Sequence, residues 1–320
     1  MKPDLNVTLC GIRMKNPILT ASGTSGYGQE LGQLYDLSVL GAFTAKSITL
    51  EKRSGNPNPR IAECVSGILN SIGIQSQGVR HFIEQDLPYL RECDVPVIVS
   101  IAGNDLNDYP KMASLLDREK GISAIEVNIS CPNVEMGGCS FGADPEVAGR
   151  IVRLVKSATK LPVIAKLTPN VTDITLIARS VEKSGADAIA LINTLAGVAI
   201  DIQTMKPKLG NVIGGLSGPA IKPVAIKMVW DVHRAVNIPI IGMGGVITWE
   251  DAIEFIIAGA TAVGVGTALF RNPWVVFELI EGIERFMEGK GISRLDEIRG
   301  RVSLPQRKPY RSSMPEEPKK

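Results

Sequence analysis

The chain is poor in several things, and each shortage removes a class of function. Aromatic residues make up 5% of 320, too few for an interfacial aromatic belt or a base-stacking surface. Neither sign of charge dominates: 35 Lys and Arg against 33 Asp and Glu leave a formal charge of +2. No strong field therefore favours nucleic acid or an anionic membrane. The five cysteines, at 10, 64, 93, 131 and 139, are odd in number and form no CxxC pair. That argues against a disulfide framework and against a zinc or iron–sulfur site in this chain, so no metal is expected. Long apolar runs are missing too. The longest charge-free stretches, 64–79 and 255–270, carry several glycines, unlike a transmembrane helix. The opening MKPDLNVTLC has no apolar signal-peptide core, and a reducing, cytoplasmic setting is expected.

Glycine, by contrast, is abundant at 32 residues, where the usual share is about 7%. Such an excess belongs to tight loops or to backbone that approaches a ligand. Repetition is the main organising signal. Eight short, β-branched apolar runs recur: PILTASG (17–23), AFTAKSI (42–48), VPVIVSIAG (95–103), AIEVNIS (124–130), PVIAKLT (162–168), AIALINT (188–194), PIIGMGG (239–245) and AVGVGTAL (262–269). Most are apolar on both faces, as parallel strands covered by helices are.

Segments of helical period lie between the runs. Ile174, Ile177, Ala178 and Val181 recur at i, i+3, i+4 and i+7, with Gly185 as the stop. Residues 249–258 predict a short helix. Pro273 suits a first helical position, ahead of a Val276, Ile280, Ile283 stripe. Eight β-then-α units predict an α/β fold of the (β/α)8 TIM-barrel type, a single domain over 1–303. A doubly wound open sheet is the competitor. It lacks its fingerprint here, because Gly242, Gly244 and Gly245 are not followed by the spaced third glycine of GxGxxG. Residues 304–320 hold four prolines, five Lys or Arg and two Glu, and read as a flexible tail.

In a barrel, chemistry collects at the C-terminal strand ends. Those ends carry Ser22, Lys46, Ser47, Ser100, Asn128, Cys131, Lys166, Asn193, Thr194, Gly244, Gly245, Gly266 and Thr267. Glycines after strands seven and eight are where barrels commonly hold phosphate on backbone N–H groups, though tight βα turns need glycine as well. Lys46 and Lys166 are open to several roles: pairing with phosphate, forming a Schiff base, holding charge on a bound ring, or an interior ion pair with Glu126. The histidines, His81 and His233, fall in predicted helices and read as surface or packing residues. Cys131, in NISCPN (128–133), ends strand four between two amide side chains. The glycine-bearing stretch 134–143 that follows reads as a lid loop. Several Asn around one cavity suit a planar, amide-rich ligand such as a pyrimidine.

These strings, together with TASGTSGYG (20–28), TAKSIT (44–49), NSIGIQSQG (70–78), KLTPN (166–170) and GGLSGPAIKPVA (214–225), resemble the dihydroorotate dehydrogenase family, most closely its class 1B catalytic subunits. The resemblance runs from about residue 5 to 301. It implies an FMN-binding barrel that oxidises dihydroorotate to orotate in de novo pyrimidine (UMP) synthesis. Cys131 would be the general base at C5, with Lys46 as the second catalytic residue, while hydride leaves C6 for the flavin. Lys46, Asn70, Ser71, Ile72, Gly73, Ile74, Asn128, Asn133, Asn193 and Thr194 would hold the substrate. Ser22, Lys46, Ser47, Ser100, Asn128, Lys166, Ile192, Gly218, Gly244, Gly245, Gly266 and Thr267 would hold FMN. The class further implies a partner subunit with FAD and a 2Fe–2S cluster that passes electrons to NAD⁺, in a heterotetramer of two catalytic and two electron-transfer chains. Competing readings are a fumarate-linked class 1A enzyme, a dihydropyrimidine dehydrogenase and a Schiff-base aldolase barrel.

Overall fold

The computed structural model of the chain describes residues 2–130 and 141–304. Most of the expected lid, and the tail beyond Leu304, lie outside the described residues. Eight parallel strands form one sheet: β1 (Ile18–Thr20), β2 (Phe43–Ile48), β3 (Val97–Ile101), β4 (Ala124–Asn128), β5 (Val163–Lys166), β6 (Ala188–Leu191), β7 (Ile240–Met243) and β8 (Ala262–Val265). Their order is β1-β8-β7-β6-β5-β4-β3-β2. A parallel bridge between Leu19 and Ala42 closes the ring, helped by Gly41 N–H donating to Ile18 O at 2.8 Å. A side chain at Gly41 would overlap Asn16 O, so closure needs glycine there. All eight predicted runs become these strands. They are buried on both faces, and that burial is why they read as apolar runs rather than as alternating ones.

A helix follows every strand: α1 (Gln29–Gly32), α2 (Leu87–Glu92), α3 (Asp108–Leu116), α4 (Pro145–Ala158), α5 (Ile174–Lys183), α6 (Lys222–His233), α7 (Trp249–Ala258) and α8 (Val275–Lys290). The architecture is the (β/α)8 barrel. Local chemistry fixes the helix starts. Asp144 Oδ1 accepts from Glu146 and Val147 N–H and caps α4, and Asp173 caps α5 through Thr175 N–H. On α5 the buried residues are Ile174, Ile177, Ala178 and Val181, the predicted stripe. Gly185 follows at φ 97°, a left-handed angle suited to glycine. Before α2 the chain runs through a π-helical turn, Phe82–Asp86, because Pro88 has no N–H to close an ordinary turn onto residue 84. One expectation shifts: α8 begins at Val275, so Pro273 precedes the helix instead of opening it. The turn ending at Asn272, whose side-chain oxygen accepts Trp274 N–H at 3.1 Å, takes that place.

The barrel has a floor and a canopy. A hairpin of Val7–Leu9 with Ile12–Met14 lies at the N-terminal end, where Cys10 sits near Asp187 at the start of β6. At the C-terminal end the loops after β2 and β6 build a four-stranded antiparallel sheet. Its order is Leu195–Gly197, Gly214–Ser217, Gly67–Asn70, Ile61–Cys64. This sheet was not expected. Among the described residues no helix is long and apolar enough to cross a membrane.

Candidate active site

Strand β2 shifts register against β3: Ala45 faces Val99 but Ile48 faces Ile101. Three steps on one strand against two on the other make a bulge, which re-aims the residues between, Lys46 and Ser47. Ser47 Oγ then lies 2.8 Å from Ser100 Oγ on β3. Asn128 at the end of β4 donates from Nδ2 to Ser47 Oγ at 3.2 Å. Its Oδ1 accepts from Ser130 N–H at 3.2 Å and from Asn193 Nδ2 at 3.5 Å. Four segments are thus tied into one belt of neutral polar groups. Tyr109 on α3, fully buried, locks it by donating from its hydroxyl to Asn128 O at 2.9 Å.

Lys166 ends β5 at 4% exposure, with Glu126 at 1%. Its Nζ donates to Ser22 Oγ at 2.8 Å and faces Glu126 Oε1 at 3.5 Å. The interior ion pair is therefore real, and it sits beside a hydroxyl from the loop after β1. An ammonium has three donors; two have partners among the described residues, and one is left for a ligand.

Lys46 differs. It is half-buried and its side chain has no hydrogen-bond partner among the described residues, while its main-chain N–H donates to Gly26 O at 2.9 Å. Burial pulls its pKa down, the Arg60 charge pulls the same way, and Glu30 offsets part of this. A half-buried ammonium that makes no hydrogen bond to the described residues suits an anionic partner. Arg60 meanwhile pins the loop after β2. Its guanidinium donates to Asn56 O at 2.5 Å, Gln75 Oε1 at 2.8 Å and Ser54 O at 3.0 Å, and its own carbonyl accepts Ser71 N–H at 2.8 Å. The run 70–74 is held there. Asn70 Nδ2 donates to Gly215 O at 3.3 Å, Ile72 O accepts Asn56 N–H, and Gly73 and Ile74 take positive φ of 73° and 50°. Ser71 Oγ and Ser130 Oγ are buried without a hydrogen-bond partner among the described residues. Buried hydroxyls of that kind call for a ligand or water.

Across the mouth, Asn170 clamps the loop after β6. It donates to Thr194 O at 3.1 Å and accepts Ala196 N–H at 2.9 Å, while Thr194 N–H reaches Asn193 Oδ1 at 2.8 Å. Ile192, 3% exposed, lies between β6 and Gly244.

The loops after β7 and β8 carry main-chain donors that could hold an anion. Among the described residues the main-chain N–H groups of Gly244, Gly245, Gly266 and Thr267 donate to no protein acceptor. The short helix Ala268–Arg271 starts directly after Thr267, so its N-terminal end adds partial positive charge. Thr267 Oγ1 is tied to Ser217 Oγ at 2.8 Å. The glycines are there for two reasons. Gly244, Gly245 and the neighbouring Gly218 have φ of 124°, 84° and 104°, angles that other residues adopt only with strain. Gly266 has no such angle, and a Cβ there would make ordinary contacts, 3.4 Å to Ala21 and 3.7 Å to Thr24. Nothing in the protein itself demands glycine at 266, whereas a closely seated ligand does. The donors thus fit a phosphate at β7–β8, a planar ring against the Ser/Asn belt and Lys166, and a second, anionic molecule near Lys46.

The predicted site residues within the described chain converge on this one end of the barrel. Cys131 and Asn133 lie outside the described residues. Tyr109, Arg60, Ser217 and Asn170 were not foreseen. The last two stand inside strings already singled out, while a helix-borne tyrosine carries no local signal. His81 and His233 fall in helices away from the site. Among the described residues no three His, Cys, Asp or Glu group to hold a metal.

The dihydroorotate dehydrogenase family model matches residues 4–287. The chain is 53% identical to the dihydroorotate dehydrogenase B (NAD(+)) catalytic subunit of Desulforamulus reducens, over 95% of this chain and 100% of that one. It is 52% identical to the protein of the same description from Alkaliphilus metalliredigens, over 93% and 99%. With that of Citrifermentans bemidjiense it shares 50%, over 95% and 99%. Matched by the family model over most of its length and alike over nearly its full length to such relatives, the chain belongs to the dihydroorotate dehydrogenase family.

Proposed function

We propose that the chain is the FMN-bound catalytic subunit of an NAD⁺-linked dihydroorotate dehydrogenase, oxidising dihydroorotate to orotate in pyrimidine synthesis. The observation that carries this is the presence of two groups of anion donors at one end of the barrel: main-chain amides at β7–β8 that donate to no acceptor among the described residues, and Lys46 at β2, whose ammonium has no hydrogen-bond partner among them. FMN brings a terminal phosphate for the first, and a carboxylated pyrimidine suits the second.

FMN, when bound, supplies a two-electron acceptor for the hydride at C6 of the substrate. The chain's own residues do the rest. Gly244, Gly245, Gly266 and Thr267 bind the phosphate, with Gly218 and Ile192 along the way. Ser22, Ser47, Ser100 and Asn128 would hold the ring, and Lys166 would supply positive charge to it. Lys46 pairs with the substrate carboxylate. Asn70, Asn128, Asn133, Asn193 and Thr194, with the main chain of 71–74, read the pyrimidine amides. Cys131 Sγ takes the C5 proton; an ordinary thiol pKa of about 8.5 suits a base near neutral pH. Barrel residues 1–303 form the working domain, with 304–320 appended.

The relatives are named catalytic subunits, which supports a second subunit here. We place FAD, the 2Fe–2S cluster and NAD⁺ reduction on that partner, in a cytoplasmic heterotetramer. The test has two arms. Flavin released from the denatured chain should chromatograph as FMN, about one per chain, and dihydroorotate should bleach it. The isolated chain should reduce an artificial acceptor but not NAD⁺. FAD, no flavin after reconstitution, or NAD⁺ reduction by this chain alone would each defeat the reading.

A further inference from the structure

The loops after β6 and β7 meet on a residue outside every ligand contact named above. Lys222 opens α6, four residues beyond Gly218. Its ammonium lies 2.6 Å from Asp251 Oδ1 and 2.7 Å from Glu254 Oε2, both on α7. The other oxygen of Asp251 accepts the N–H groups of Ile247 and Thr248, each at 2.9 Å. Those two residues follow directly on Gly244, Gly245 and Val246. The main chain of Lys222 backs the same loop: a Cβ built on Gly245 would lie 2.8 Å from Lys222 Cβ and 3.0 Å from Lys222 N. Lys222 thus packs close to the glycine loop at Gly245 and is tied to its far end through Asp251. Its charge is not on offer to a ligand, because two carboxylates already face it.

We propose that Lys222 is a positioning residue for the phosphate cradle, holding the Gly244 and Gly245 amides so that they converge with those of Gly266 and Thr267. The proposal rests on the FMN reading and adds a residue to it. Pairing between α6 and α7 for stability alone is the competing account, and a ligand that differs only in its phosphate separates the two. The full chain is stripped of flavin and titrated with FMN and with riboflavin, following flavin fluorescence. Lys222→Met should weaken FMN about tenfold, the size of coupling expected within one charged network, and leave riboflavin affinity as it was. Lys222→Arg, which still reaches both carboxylates, should restore FMN binding. Asp251→Asn keeps an acceptor for Ile247 and Thr248 and removes the Lys222–Asp251 ion pair while leaving that to Glu254, so it should show the same selective loss even if the methionine variant folds poorly. Equal weakening of both flavins, or no change in either, overturns the proposal. A wild-type chain that takes up neither flavin removes the FMN reading itself, and this proposal with it, before any variant is made.

Discussion

Gly266 and Gly245 both belong to the proposed phosphate cradle, yet alanine should act differently on the stability of the flavin-free chain at the two positions. At Gly266 the φ lies outside the left-handed region, and the new methyl would sit 3.4 Å from Ala21 and 3.7 Å from Thr24, ordinary packing distances. The flavin-free chain should therefore keep its stability or gain about 0.4–1 kcal/mol, since alanine narrows the unfolded ensemble. The methyl would occupy space that a phosphate on the Gly266 N–H uses. Losing one charge-assisted hydrogen bond is worth about 1.5–3 kcal/mol, or roughly ten- to a hundredfold in FMN affinity. At Gly245 the φ is 84°, and a methyl would meet Lys222 Cβ at 2.8 Å and Gly218 O at 2.9 Å. The left-handed angle alone costs alanine about 1–2 kcal/mol, and the overlap with main chain adds to it. Gly245→Ala should thus destabilise the flavin-free chain as well as weaken FMN. Urea unfolding of stripped protein reads the first quantity and fluorescence titration the second. If Gly266→Ala binds FMN as wild type does, or unfolds the flavin-free chain more easily by over about 1 kcal/mol, the reasoning about that glycine is wrong.

Other outcomes follow from the same geometry. Cys131→Ala should retain FMN and orotate while slowing flavin bleaching by about 10²–10⁴-fold, the range for a lost general base; anaerobic stopped-flow at neutral pH checks it, and a near wild-type rate excludes the thiol. Glu126→Ala strands the buried Lys166 ammonium and should lower stability by about 3–5 kcal/mol, read as a urea midpoint shift, whereas a surface pair would move it little. For Lys46 the sign works through its lowered pKa: between that value and the ordinary 10.5 the unfolded chain holds more protons, so stability from this group rises with pH across the window. Lys46→Met should flatten that rise in urea melts at stepped alkaline pH, and a parallel rise in the variant would assign it elsewhere.

The barrel was legible in the sequence because parallel strands covered on both sides need apolar residues at every position. Ile98, Val99, Ile125 and Val163 are all fully buried, and each stands in a run that reads as a strand with no help from its neighbours. The canopy sheet was not legible, for the complementary reason. Ile61–Cys64 is exposed and half-buried in alternation, and Gly214–Ser217 opens with two glycines, residues with little strand preference. Its central pairing, Asn70 with Gly215, joins the loop after β2 to the loop after β6, and no local pattern encodes it.

The site divides along the same line. Strand-end polar residues such as Ser100, Asn128 and Lys166 stood out against apolar runs, so their positions announced them. What they do to each other depends on register: Lys166 faces Asn128 across β5 and β4, and Ser100 faces Glu126 across β3 and β4. That register sets the residues bearing an ammonium and an amide side by side at the mouth, with a carboxylate-bearing residue two positions below on β4. The β2 bulge then decides which of Lys46 and Ser47 joins the belt and which is left without a partner. A bulge is a single extra residue in a six-residue strand, and TAKSIT reads the same with or without it. The lysine proposed for the substrate's charge is thus set apart by backbone geometry, and the lysine proposed for the flavin by strand order.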